Sequence, residues 1–235
     1  MTAIFKREFR SYMRGVIGPA IIAVVLLAAG VLTAVINILA GATHFEYALN
    51  YLQFALIVAI PVLAMRAFAD EKRNRVDCLI YSLPIKLSSV VLGKYLAMLA
   101  VFGIACGVLA LYPIALRVIG MADAEASYSA LLAFFLLGAA LLAYCLFLAS
   151  LTENQVVAAL LGIGGVVLLF LPDALVNFTP LAGGLARLLS AVSIFSRYST
   201  VCSGVFELGT VIYDASFIVL FLFLTVQVME RKRRR

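Results

Sequence analysis

Six stretches of about twenty apolar residues, none alternating polar with apolar, set the terms for this chain. They run roughly Val16–Ala40, Tyr47–Ala67, Ser89–Ile119, Tyr128–Ser150, Val156–Leu171 and Val211–Val228, the fifth short and the third long. About twenty helical residues, at roughly 1.5 Å each, cross the ~30 Å hydrocarbon core of a bilayer. Composition agrees, with 65% hydrophobic and 13% charged residues in 235, whereas a soluble domain is nearer half apolar and about a quarter charged. A water-exposed fold of this size would have to cover its outside with polar groups. Lipid is therefore the solvent for much of the chain, and its backbone must be satisfied by helices or a closed barrel. Barrel strands alternate over about ten residues. These runs do not, so the expected class is all-α, a polytopic membrane protein with six transmembrane helices.

Orientation follows from the basic residues. With the N-terminus inside, fifteen of the eighteen lysines and arginines fall on the inner side. They are Lys6, Arg7, Arg10, Arg14, Arg66, Lys72, Arg73, Arg75, Lys86, Lys94 and the tail Arg231–Arg235; only Arg117, Arg187 and Arg197 fall outside. Both termini are thus expected to be cytoplasmic. The apolar piece Leu181–Phe195 is not read as a seventh span. Arg187 would sit mid-membrane, at a cost of about 2.5–3.5 kcal/mol, and an odd count would put the basic tail outside. Residues 172–210 are expected to form one or two outer or re-entrant helices before the last span. The single transmembrane domain then divides into an interfacial helix (1–15), spans one to five (16–171), the outer segment (172–210), span six (211–230) and a basic tail (231–235).

Residues 1–15 are amphipathic. Ile4, Phe5, Phe9, Tyr12 and Met13 share one helical face, while Lys6, Arg7, Arg10 and Arg14 lie largely on the other. This predicts a helix in the inner headgroup layer; the alternative is a plain basic flank of the first span.

Chemistry-bearing motifs are absent from the sequence. There is no GxxxxGK[ST] loop to cradle phosphates, no HExxH, no GxSxG and no Cys/His cluster. Cys78, Cys106, Cys145 and Cys202 show no CxxC spacing, so no metal site or disulfide framework is expected. His44 lies in a short outer turn beside Glu46 and reads as a solvated loop residue, with a metal or proton role as the alternative. Arg117, Asp173, Glu207 and Asp214 lie near outer-facing span ends, where they can snorkel or pair. Gly103 and Gly107 form a GxxxG in the third span, and Gly162, Gly164 and Gly165 cluster in the fifth, allowing close helix approach. Pro61 and Pro113 should kink or loosen the second and third spans.

The one long charged interruption is Met65–Arg73, followed by Ser82-Leu83-Pro84 and Gly93-Lys94. Ala67–Arg75 reads as a polar helical extension of the second span. Val76–Leu83 is a short apolar-patterned piece ended by Pro84, which fits a short helix lying on the membrane surface. A solvated charged loop is the alternative.

Four segments, in order, resemble the permease subunit of ABC-type-2 exporters, especially the compact subfamily that includes gliding-motility permeases. Ile4–Tyr12 is similar to that family's opening elbow helix. Arg66, Phe68, Glu71, Lys72 and Arg73, then Leu79, Pro84, Gly93 and Lys94, are similar to its inner-loop pattern. Leu151–Ala159 resembles its turn between spans four and five, and Phe221–Val226 with Glu230-Arg231 its closing helix. One departure is local: where the family commonly carries Gly-Thr and then an acidic residue, this chain has Arg75-Val76 and Cys78.

The resemblance implies a permease of an ATP-driven exporter in a bacterial cytoplasmic (inner) membrane. It is no enzyme by itself and binds no cofactor; ATP and Mg sit on the partner ATPase. Two ATPase subunits would dock below two permeases, the second a copy or a sister chain, with membrane lipid around them and an accessory subunit left open. No nucleic-acid partner is expected. The short helix near Val76–Leu83 would be a coupling helix seated in an ATPase groove, with Glu71, Arg73, Asp77, Leu79, Ser82, Leu83 and Pro84 as the ATPase-coupling residues. Glu153, Asn154 and Gln155 form the second inner turn, and Arg197, Glu207 and Asp214 a candidate outer gate. The alternatives are an accessory scaffold or immunity protein without transport, and a membrane-embedded lipid-modifying enzyme. Apolar spans mildly favour a lipid-like, amphipathic or peptide cargo.

Overall fold

A computed structural model describes residues 2–68, 87–118, 124–178, 193–202 and 208–233. Regular structure among these residues is helical throughout. In chain order the helices are α1 (Thr2–Arg14), α2 (Ile17–Thr33), continued by a π-helical turn (Ala34–Leu39), α3 (Phe45–Ala64), α4 (Leu87–Leu109), α5 (Leu111–Val118), α6 (Ala124–Leu151), α7 (Gln155–Phe178), α8 (Ile194–Cys202) and α9 (Leu208–Arg233). Six stretches are long and apolar enough to span a membrane: Ile17–Leu39, Phe45–Phe68, Leu87–Val118, Ala126–Leu151, Gln155–Leu175 and Leu208–Arg233. Each overlaps one of the six expected spans.

The fifth span is longer than its hydropathy suggested, because α7 runs on through Pro172 to Phe178. Residues 172–178 thus continue the span helix rather than opening the outer segment. The third span is divided at Ala110, between α4 and α5. Pro113 explains the break: it has no N–H to donate to Leu109, and its ring crowds that carbonyl. Pro61, by contrast, is accommodated inside α3.

Helix α6 is the axle of the bundle, packed against α3, α4, α5, α7, α8 and α9. Seven successive residues, Leu137–Ala143, are buried, so α6 is enclosed around nearly two turns. Small side chains on one helix admit large ones from the next. A Cβ on Gly138 would collide with the Phe102 ring of α4, and one on Gly165 would come within 2.5 Å of Leu148. Gly162 faces Pro61, whose Cβ would be 2.8 Å away. Two of the three glycines of the fifth span therefore serve close packing within the chain. The GxxxG of the third span does not: Gly103 meets only Phe135 at an ordinary 3.7 Å, and Gly107 meets nothing within 4 Å.

Helices α9 and α2 lie at the periphery. Ile212, Val219, Leu220 and Phe223 of α9, Val24, Leu27 and Val31 of α2, and Val35 of the π-helical turn are exposed. The inward side of α9 is aromatic: Phe221 meets Tyr144 edge-on at 4.9 Å and Phe217 at 4.6 Å. The α2–α3 turn is closed by Asn37, which donates to the carbonyls of Ala42 (2.9 Å) and His44 (3.1 Å). Gly41 turns the chain there at φ +68°, a conformation glycine adopts without strain.

Candidate functional site

Basic side chains gather at one end of the bundle, where α1, the end of α3 and the start of α4 meet. Lys94 is the centre of this junction. It is 1% exposed, an expensive place for an ammonium unless its donors are used. Its Nζ donates to the carbonyl of Ala67 at 2.5 Å, lies 3.5 Å from the Glu8 carboxylate, and sits 5.3 Å from the centre of the Phe68 ring. One side chain therefore holds α1, the chain leaving α3, and α4. A cation beside a helix C-terminus is favourable on electrostatic grounds as well.

Neighbouring residues explain why the chain closes here. A Cβ on Gly93 would stand 2.9 Å from Ile4, so glycine lets α1 lie against α4. Tyr12 is buried and donates to the Leu63 carbonyl at 3.3 Å. A Cβ on Gly15 would collide with the Arg66 guanidinium. Phe68 and Leu87, the residues flanking segment 69–86, are both buried. The two described residues that border that segment are therefore packed into the bundle near the Lys94 junction.

The expected coupling residues Glu71, Arg73, Asp77, Leu79, Ser82, Leu83 and Pro84 lie outside the described residues. The second turn, Glu153–Gln155, is described, and Asn154 has a structural task there. Its Oδ1 accepts from the Val156 N–H at 2.9 Å, capping the N-terminus of α7. The end of α6 beside it is held by Lys232 of α9, which donates to the Ser150 carbonyl at 2.5 Å.

At the opposite end, the expected outer gate is brought together in part. Arg197 of α8 stacks on the Tyr213 ring of α9 at 4.4 Å, and its charge acts on Asp214 next to that ring. Asp214 is buried. Glu207 lies outside the described residues. Helix α8 has only nine residues, too few to cross a bilayer, and buries Phe195, Tyr198 and Val201 against its neighbours. Phe195 meets Phe170 of α7 edge-on at 5.3 Å.

A second polar group at this end was not legible in the sequence. Glu46 is buried, accepts from Ser127 at 3.1 Å and lies 3.5 Å from His44 Nδ1. His44 is not merely solvated, because it partners a buried carboxylate. The missing signal is Ser127, which stands 81 residues away and nothing local links it to Glu46. The Glu8–Lys94 pair escaped for the same reason, although a lysine after glycine near the start of an apolar run was a visible oddity.

These features define a multi-pass helical membrane protein whose packed bundle presents a basic junction at one end. The family model for ABC-2 family transporter proteins matches residues 20–229, and the chain belongs to that family. It is a membrane component of an ABC transporter, a class that works with ABC ATPase subunits. Comparison with curated proteins returns no match.

Proposed function

We propose that this chain is the permease subunit of an ATP-driven exporter. Two permeases form the translocation pathway, and two separate ATPase subunits, which carry ATP and Mg, dock on segment 69–86. The observation that carries this reading is the Lys94 junction. Phe68 and Leu87, which border segment 69–86, are buried, and Lys94 ties the Ala67 carbonyl just before that segment to α1 and α4, so a force delivered at these borders meets packed helices. A push from below thus reaches the bundle as rigid-body motion, which is how interfaces switch between two packed arrangements. The filled centre of α6 supports placing the pathway at a seam between two copies. In this reading both termini are cytoplasmic, α1 lies in the inner headgroup layer, and Arg197 with Asp214 belongs to the exit side.

Co-purification with the ATPase encoded beside this chain tests the proposal. Glu71→Arg or Leu79→Arg should dissociate that ATPase or abolish the stimulation of its hydrolysis. Stoichiometric binding and stimulated hydrolysis that both survive the two changes would overturn it.

A further inference from the structure

Two neighbouring grooves on α1 differ completely in chemistry. One, of about 510 Å³, lies between α1, α4 and α6 and is lined by Phe5, Leu96, Leu99, Gly103 and Phe135, with Thr2 at its margin. The other, of about 480 Å³, is lined by Lys6, Arg7, Arg10, Ser11 and Arg14. Phe5 and Lys6 are adjacent in sequence, so the two grooves occupy adjoining strips of one amphipathic helix.

We infer that together they bind one anionic phospholipid, its acyl chain in the apolar groove and its phosphate on the cationic strip. The dimensions fit. The α4 wall from Leu96 to Gly103 is eight residues, a rise of about 10 Å over seven steps of 1.5 Å. One leaflet supplies about 15 Å of hydrocarbon, so the groove stays within a single leaflet. It begins at the amphipathic helix and runs along α4 away from the basic end, which is the direction an acyl chain takes from its headgroup. Gly103 keeps it open, because any larger side chain there would project toward Phe135. A second copy of this chain would fill the apolar half only, whereas the basic strip, where Arg7 pairs with Glu8 at 2.7 Å and Lys6, Arg10 and Arg14 complete the lining, calls for an anion. An anionic lipid satisfies both, and juxtamembrane basic clusters attract such lipids. The inference rests on the reading that α1 lies at the membrane surface. It does not depend on any ATPase.

The purified full chain, in nanodiscs made of phosphatidylcholine with graded phosphatidylglycerol, should retain about one phosphatidylglycerol per chain by native mass spectrometry after transfer to detergent. Lys6→Gln with Arg10→Gln should lower the preference for phosphatidylglycerol over phosphatidylcholine about tenfold or more. Both changes lie on an exposed face and leave the bundle folded. Gly103→Leu should abolish retention of either lipid, with the melting curve reporting that the chain is still folded. Equal retention of the two lipids by wild type, or retention unchanged in the double variant, overturns the inference. A chain that binds phosphatidylglycerol but no ATPase would sink the exporter reading and leave the lipid site standing.

Discussion

Lys94 concentrates the energetics of the basic end in one side chain. Removing one partner of a buried ion pair leaves the other uncompensated, typically at about 3–5 kcal/mol. Lys94→Met leaves the Glu8 carboxylate with Arg7 alone, at 2.7 Å, and frees the Ala67 carbonyl, so the cost falls at the lower end of that range, about 3 kcal/mol. In detergent it should lower the thermal midpoint by about 6–12 °C for a chain of this size. Glu8→Gln should cost less, because the Ala67 bond and the Phe68 contact survive. The two changes together should cost less than their sum, since they share one interaction. Strict additivity in that double-mutant cycle would show that Glu8 and Lys94 do not interact. If segment 69–86 docks an ATPase as proposed, the same variants should lose ATPase stimulation while still binding the ATPase, because the substitutions lie outside that segment.

Among the elements, α6 and α4 carry the tightest fit. Gly138 receives the Phe102 ring so closely that even a methyl group cannot enter without displacing it. Gly138→Ala should destabilise the chain by about 1–3 kcal/mol through overpacking. Phe102→Leu in the same chain should recover part of that loss, because the smaller side chain vacates the contested space; no recovery would place the strain elsewhere. This contact was not legible in the sequence, whereas the spans that carry it were. Span positions follow from the length and polarity of each run, and lipid enforces both. Which glycine is used depends on what the facing helix presents. Gly103 and Gly107 have the spacing of a packing motif, yet Gly103 makes only an ordinary contact with Phe135 and Gly107 meets nothing within 4 Å, while the isolated Gly138 has no such spacing and is the closest contact. The end of α7 was misplaced for a related reason: the apolar run stops at Leu171, but a helix supported by α3 and α6 continues through Pro172 to Phe178. Asn154 was expected in the second inner turn; its Oδ1 caps α7, a role that a family pattern does not distinguish from partner docking.

For the whole molecule, the sidedness of the two ends decides whether the exporter mechanism is possible. The basic end holds Lys6, Arg7, Arg10, Arg14, Arg66, Lys94 and the end of α9, the asymmetry that retains an end in the cytoplasm. Single cysteines with a membrane-impermeant maleimide can read it directly, and the native thiols make the experiment clean. Cys106, Cys145 and Cys202 are buried, so Cys78→Ser alone supplies a quiet background. Thr43→Cys, exposed in the turn before α3, should label in intact cells. Arg233→Cys, exposed at the end of α9, should label only after the membrane is permeabilised. The reverse pattern would put segment 69–86 on the side without ATP, and no ATPase could then push on the Lys94 junction. The expected pattern places segment 69–86, the basic tail and the cationic strip of α1 on one surface. There a single cytoplasmic partner could reach the first two while the anionic leaflet holds the third.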